Sequence, residues 1–285
     1  MTGVLFACLA GLFLGALNIT MRRALARVAD VDAGSAVIAL VAFALVAALA
    51  AATSSDADIR DLWPFLLLGV FVPGLSQLLV VHAVRAAGAS RAGVLFGMAP
   101  LFSALIAIAA FGEPLRWPLV AGTLLVVAGG VALALEGARP ADYRAYGAVL
   151  AVTVAAAFGL RDNIARTVSE DIAADPLAQS TAILLGAATV LLVNLLLRSS
   201  ALPRMRAAFV PFAASGVVLG LGQAALLEAL DRAPVTVVAP LAGTGVLWTV
   251  ALAALFLGRS ELIDRRLVLV ALLVVAGGAL VGATR

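Results

Sequence analysis

Few polar side chains lie inside the apolar runs of this sequence, so each that could do chemistry can be weighed singly. Gln77 and Gln223 sit within long apolar stretches, as do Asn18 and the adjacent pair Asp162–Asn163. A carboxamide presents donors and an acceptor in fixed geometry, which suits recognition of a polar solute in a dry cavity. The same group also ties one packed helix to another. His82, Asp162 and Glu228 are the candidates for proton coupling, because imidazole titrates near neutral pH and desolvation raises a carboxyl toward it. Asp162 has Arg161 and Arg166 beside it and could be held as an interfacial ion pair instead. Phe102 and Trp248 fall in mid-run, where an aromatic ring either packs or lines a pocket. With Asn18, Gln77, Asn163 and Gln223 they form the candidate substrate-binding set. Glu113 and Glu261 read differently, since each precedes a helix whose N-terminal dipole a carboxylate complements.

Enzymatic constellations are missing. There is no HExxH, no phosphate-binding loop and no GxSG, and GLRD at 159–162 lacks the second glycine of a GxGD aspartyl protease motif. His82 is the only histidine and Cys8 the only cysteine, which excludes an intramolecular disulfide. The expectation is no catalytic residue, no metal and no cofactor.

The elements that position these residues follow from composition. Hydrophobic residues make up 64% of the 285, charged residues 12%, and the mean hydropathy is +1.15. So little charge cannot cover a soluble surface. Apolar runs of membrane-crossing length recur throughout, at 3–22, 33–53, 62–85, 90–111, 116–135, 145–167, 176–197, 206–230, 234–257 and 265–283. The fold class expected is all-α integral membrane with ten transmembrane helices. The N-terminal run lacks a basic leader and is too long for a signal h-region, so it reads as the first span. All 19 basic residues are arginine, placed at span ends, where membrane-flanking charge explains a net +3 better than nucleic acid does. Thirteen arginines fall by the odd-numbered connectors and six on the other side with both termini. The positive-inside rule alone puts the termini outside.

LLVVAGG occurs at 124–130 and again at 272–278, an offset of 148. At 146, GLSQ (74–77) meets GLGQ (220–223) and His82 meets Glu228; at 144, Gly3, Gly15 and Arg22 meet Gly147, Gly159 and Arg166. Ordered matches at nearly constant offset point to a duplicated five-helix unit, residues 1–138 and 139–285. Five crossings is odd, so the second copy enters from the opposite face, giving an inverted repeat. The two glutamines then bracket the midplane, each about 5–8 Å from it, with the asparagines about 9–10 Å from their span centres. Pro73, Pro100 and Pro240, with Gly243 and Gly245 nearby, mark spans that break at membrane depth.

These residues resemble the drug/metabolite transporter superfamily, and within it the ten-helix EamA-type members. The resemblance is carried by GALN at 15–18, the Gly-Glu-Pro connector at 112–114 and Gly129–Gly130, repeated as GLRDN (159–163), GRSE (258–261) and AGG (276–278). It departs at Leu14, where the family often has Trp, and in the second connector, where Gly and Glu are not adjacent. The resemblance implies a secondary transporter, often an exporter of amino acids, metabolites or drug-like compounds, in the plasma membrane with cytoplasmic termini. Spans 1, 3, 4, 6, 8 and 9 would line its cavity. Expected partners are a small-molecule solute, membrane lipid and a coupling proton, with no nucleic acid, in a monomer or homodimer. A lipid-linked sugar flippase or a non-transporting scaffold shares the architecture, and an intramembrane enzyme is the more distant alternative.

Overall fold

The computed structural model describes residues 2–53, 59–111, 117–134, 142–172, 174–198, 200–233, 235–258, 261 and 263–282. Among the described residues, thirteen α-helices make up the ten expected segments. Single helices form seven: α1 (Thr2–Arg27), α2 (Val31–Ala52), α7 (Trp117–Ala134), α8 (Ala145–Asp171), α9 (Pro176–Leu196), α10 (Ala201–Arg232) and α13 (Arg265–Gly282). The other three are interrupted: α3 (Trp63–Gly69) with α4 (Ser76–Ala87), α5 (Ala89–Phe96) with α6 (Ala99–Phe111), and α11 (Val235–Gly243) with α12 (Gly245–Phe256). Among the described residues, seven segments are long and apolar enough to cross a bilayer, and the remaining apolar helices complete the set. The chain is a multi-pass integral membrane protein, and lipid contact explains the many exposed Leu, Val and Phe side chains.

The interruptions fall at the prolines and glycines singled out above. The third segment widens into one loose turn over Val70–Leu75, where Pro73 pushes Val72 into extended geometry (φ −139°, ψ 117°). The fourth turns at Gly97–Met98, two residues before Pro100, and the ninth at Thr244, between Gly243 and Gly245. Helix starts carry aspartate caps: Asp30 accepts from Ala33 N–H at 3.1 Å, and Asp175 from Leu177 and Ala178 N–H at 2.9 and 3.3 Å. A capped amide no longer needs water where the chain re-enters hydrocarbon.

Close contacts between the halves come in exchanged pairs. The two LLVVAGG copies meet: a methyl group built on Gly129 would lie 2.8 Å from Val274 Cγ2, and one on Gly277 2.7 Å from Val126 Cγ2. Gly15 approaches Trp248 Cβ as Gly159 approaches Phe102 Cβ, at 2.7 and 2.9 Å by the same measure. In each case residue i of one half touches j of the other, and the counterpart of i touches the counterpart of j. A pseudo-twofold relation produces that exchange, and small residues let the backbones come close enough to use it.

Candidate functional site

The asparagines of α1 and α8 each reach across to the opposite half. Asn18 Nδ2 donates to Thr249 Oγ1 on α12 at 3.1 Å, and that hydroxyl also approaches the Gly15 and Gly245 carbonyls at 3.2 and 2.9 Å. Asn163 Nδ2 sits 2.9 Å from the Ser103 carbonyl on α6, 3.1 Å from its hydroxyl and 2.8 Å from the Gly159 carbonyl. Both asparagines are buried. Ser103 and Thr249 are 146 positions apart and Asn18 and Asn163 145, so one tie is built twice. Each tie stands beside its aromatic, Trp248 (42% exposed) or the half-buried Phe102. Sequence reasoning missed Ser103 and Thr249; their signal was the repeat register, which pairs two small hydroxyls next to the paired aromatics.

The glutamines are buried but loosely held. Gln77 Nε2 lies 3.6 Å from Met21 Sδ, a weak acceptor. Gln223, 7% exposed, makes no hydrogen bond among the described residues. An amide in hydrocarbon surroundings without a strong partner is available to a polar ligand.

The protonatable candidates are not brought together. Asp162 accepts from its neighbour, with Oδ1 at 3.0 and 2.6 Å from Arg161 Nε and Nη2. Glu228 pairs with Arg232 one turn on. His82 lines a polar cleft of about 520 Å³ with Asp30, Asp32, Arg85, Arg198 and Arg204. There Arg204 grips Asp30 with Nε and Nη2 at 2.6 and 2.7 Å, and Arg198 Nε is 3.3 Å from Asp32. The Arg204 hydrogen bonds hold the Asp30 carboxyl below the usual carboxylate range, outweighing the burial that raises it.

That cleft belongs to a wider polar layer joining the odd-numbered connectors. Arg22 pairs with Asp142 and donates to the Arg85 carbonyl at 3.1 Å; Arg85 donates to the Ala29 carbonyl at 3.1 Å; Arg144 N–H donates to the Ala86 carbonyl at 2.7 Å. Glu261 lies in the same layer, fully buried. Its carboxylate does serve a helix N-terminus, but that of α5, accepting from Ala89 and Ser90 N–H at 2.9 and 3.1 Å. The helix following it, α13, takes its cap from Asp264, which accepts from Leu267 N–H at 2.8 Å. Spacing along the chain pointed to the wrong helix because the acceptor folds onto amides 172 residues away. Glu113, its repeat counterpart, lies outside the described residues.

Residues 1–135 match the EamA-like transporter family. No curated protein is matched by the chain. A solved crystal structure, named only as that of a protein, aligns with 98% of this chain and 95% of its own at a TM-score of 0.57 and 18% identity. At that identity the likeness shows a shared fold, and it extends past the family match through the second half.

Proposed function

The first 135 residues match the EamA-like transporter family, and from that premise we propose that the chain is a drug/metabolite transporter that exports a small organic solute by alternating access. Residues 1–138 and 139–285 are in this reading two inverted five-helix repeats that exchange shapes.

One observation carries it: among the described residues the packing departs from twofold symmetry. Among the described residues, α1 packs on α4 and α5, and α5 packs on α12, all beside the odd-numbered connectors. Their repeat counterparts would be α8 on α10 and α11, and α6 on α11; none packs to a comparable extent. These contacts gather on the odd-connector face with their counterparts unmade, while α11 packs on α13 without a comparable contact of α5 on α7; in this reading the odd-connector face is the closed one. Exchanging the two patterns costs little when both halves have the same build, and it moves the opening from one face to the other.

Gln77 and Gln223, with Phe102 and Trp248, are the solute contacts in this reading; Asn18 and Asn163 hold the helices that carry the aromatics. Of His82, Asp162 and Glu228, His82 is set within a cross-half ionic cluster and is the first choice for proton coupling. The test is flux of a panel of amino acids, metabolites and cationic drugs in proteoliposomes, with and without an imposed proton gradient. Gln77→Ala with Gln223→Ala is expected to abolish flux while leaving folded protein in the membrane. Flux with unchanged kinetics in that double variant removes the proposed site, and no flux of any compound in the parental protein removes the transporter reading.

A further inference from the structure

We propose that Glu261 is the latch that holds the odd-connector face shut. The inference rests on the two-state reading above and names the contact that must break for this face to open.

Glu261 sits in the connector between the ninth and tenth segments, while the amides it caps begin the fourth. It therefore bridges the two halves, and it does so where α5 and α12 pack together. The carboxylate is shielded completely from solvent, so its charge must be balanced inside. Three groups do this. The Ala89 and Ser90 amides present the positive end of α5; Arg22 Nε from α1 lies 3.6 Å from Oε1; and Arg91, itself 1% exposed, donates through Nη1 to the Glu261 carbonyl at 2.6 Å. The first and fourth segments thus converge on one residue of the connector between the ninth and tenth.

The backbone is shaped for it. Gly88, the N-cap of α5, has φ +86°, a conformation that disfavours any side chain. A methyl group there would also stand 2.7 Å from Glu261 Oε2. Room for the carboxylate and the turn that aims two amides at it come from one glycine. A carboxylate held this way is stable when the halves are docked and becomes a buried, unpaired charge if they part without water. Opening this face therefore requires the carboxylate and the α5 N-terminus to hydrate together, which makes the contact two-state rather than graded.

The test reads access, not flux. Met21 on α1 is fully buried just below Arg22, and the lone native thiol is removed as Cys8→Ser. In oriented vesicles of full-length protein carrying Met21→Cys, a membrane-impermeant maleimide is added on the odd-connector side. Glu261→Ala is expected to speed labelling at least tenfold, and Glu261→Gln, which keeps one acceptor oxygen, severalfold. Ala89→Pro removes one donor at the first helical position, where proline is tolerated, and is expected to speed labelling severalfold in a chain that retains Glu261. Ser90→Ala is the control, since the Ser90 hydroxyl makes no hydrogen bond among the described residues, and leaves the rate unchanged. If Glu261→Ala does not fold, Ala89→Pro decides. Labelling at the parental rate in Ala89→Pro and in any folded Glu261 variant overturns the latch. Flux measured on separate vesicles of the unsubstituted protein keeps the two readings apart: absent flux sinks the transporter, whereas intact flux with unchanged labelling sinks only the latch.

Discussion

Asn163 holds Ser103 by both its carbonyl and its hydroxyl, at 2.9 and 3.1 Å from a single side-chain nitrogen. The counterpart pair, Asn18 and Thr249, is joined by one bond at 3.1 Å. The two ties are therefore unequal in strength as well as opposite in placement. Asn163→Ala is expected to cost roughly 2–3 kcal/mol and Asn18→Ala roughly 1 kcal/mol, because the first strands more buried acceptors. Thermal unfolding of the detergent-solubilised variants measures both, and equal losses would contradict the asymmetry.

The Asp30–Arg204 pair predicts a defined acid sensitivity. Asp30 has a lowered pKa in the folded chain, so its contribution is present above the unfolded value near 3.9 and is lost as pH falls through the lower folded value. Asp30→Asn keeps a capping side chain for Ala33 but loses the charge. At pH 7 the variant should be less stable by roughly 1–2 kcal/mol, and the gap should narrow as pH falls below the unfolded value near 3.9. Melting curves from pH 3 to 7 test this; a gap that widens toward acid would refute it.

Close approach predicts where a single methyl group is intolerable. At Gly159 it would meet the Ser103 backbone nitrogen at 2.5 Å, and at Gly15 the Gly245 carbonyl at 2.6 Å, whereas at Gly243 nothing lies within 4 Å. Backbone atoms on a packed helix cannot step aside. Gly159→Ala and Gly15→Ala should each cost roughly 2–4 kcal/mol, and Gly243→Ala should be neutral or stabilise by up to about 1 kcal/mol. Yield of monodisperse protein after heating ranks the three.

Much of the architecture was legible because hydrocarbon is an exacting solvent. A segment must be apolar for its full length and must satisfy its own amides, so ten runs of composition announced ten segments. The breaks were legible too, as Pro73, Pro100 and the Gly243–Gly245 stretch each coincide with an interruption. The Asn18, Asn163, Trp248 and Phe102 positions stood out for a related reason: anything polar or aromatic in mid-run is conspicuous, and the repeat register paired them.

Sequence alone, then, determined the segments, and it supplied the repeat register and the shortlist of side chains as expectations, all of which depend on periodicity and hydropathy along one chain. Tertiary structure alone decided who touches whom. It put Thr249 on Asn18 and Ser103 on Asn163, gathered Asp30, Asp32, Arg198 and Arg204 into one cleft, and turned Glu261 away from its own helix onto amides 172 residues distant. It also broke the symmetry, packing α5 on α12 and α11 on α13 without comparable contacts of α6 on α11 or α5 on α7 among the described residues. Contacts between residues more than 140 positions apart depend on how the two halves dock, and neither half encodes that by itself.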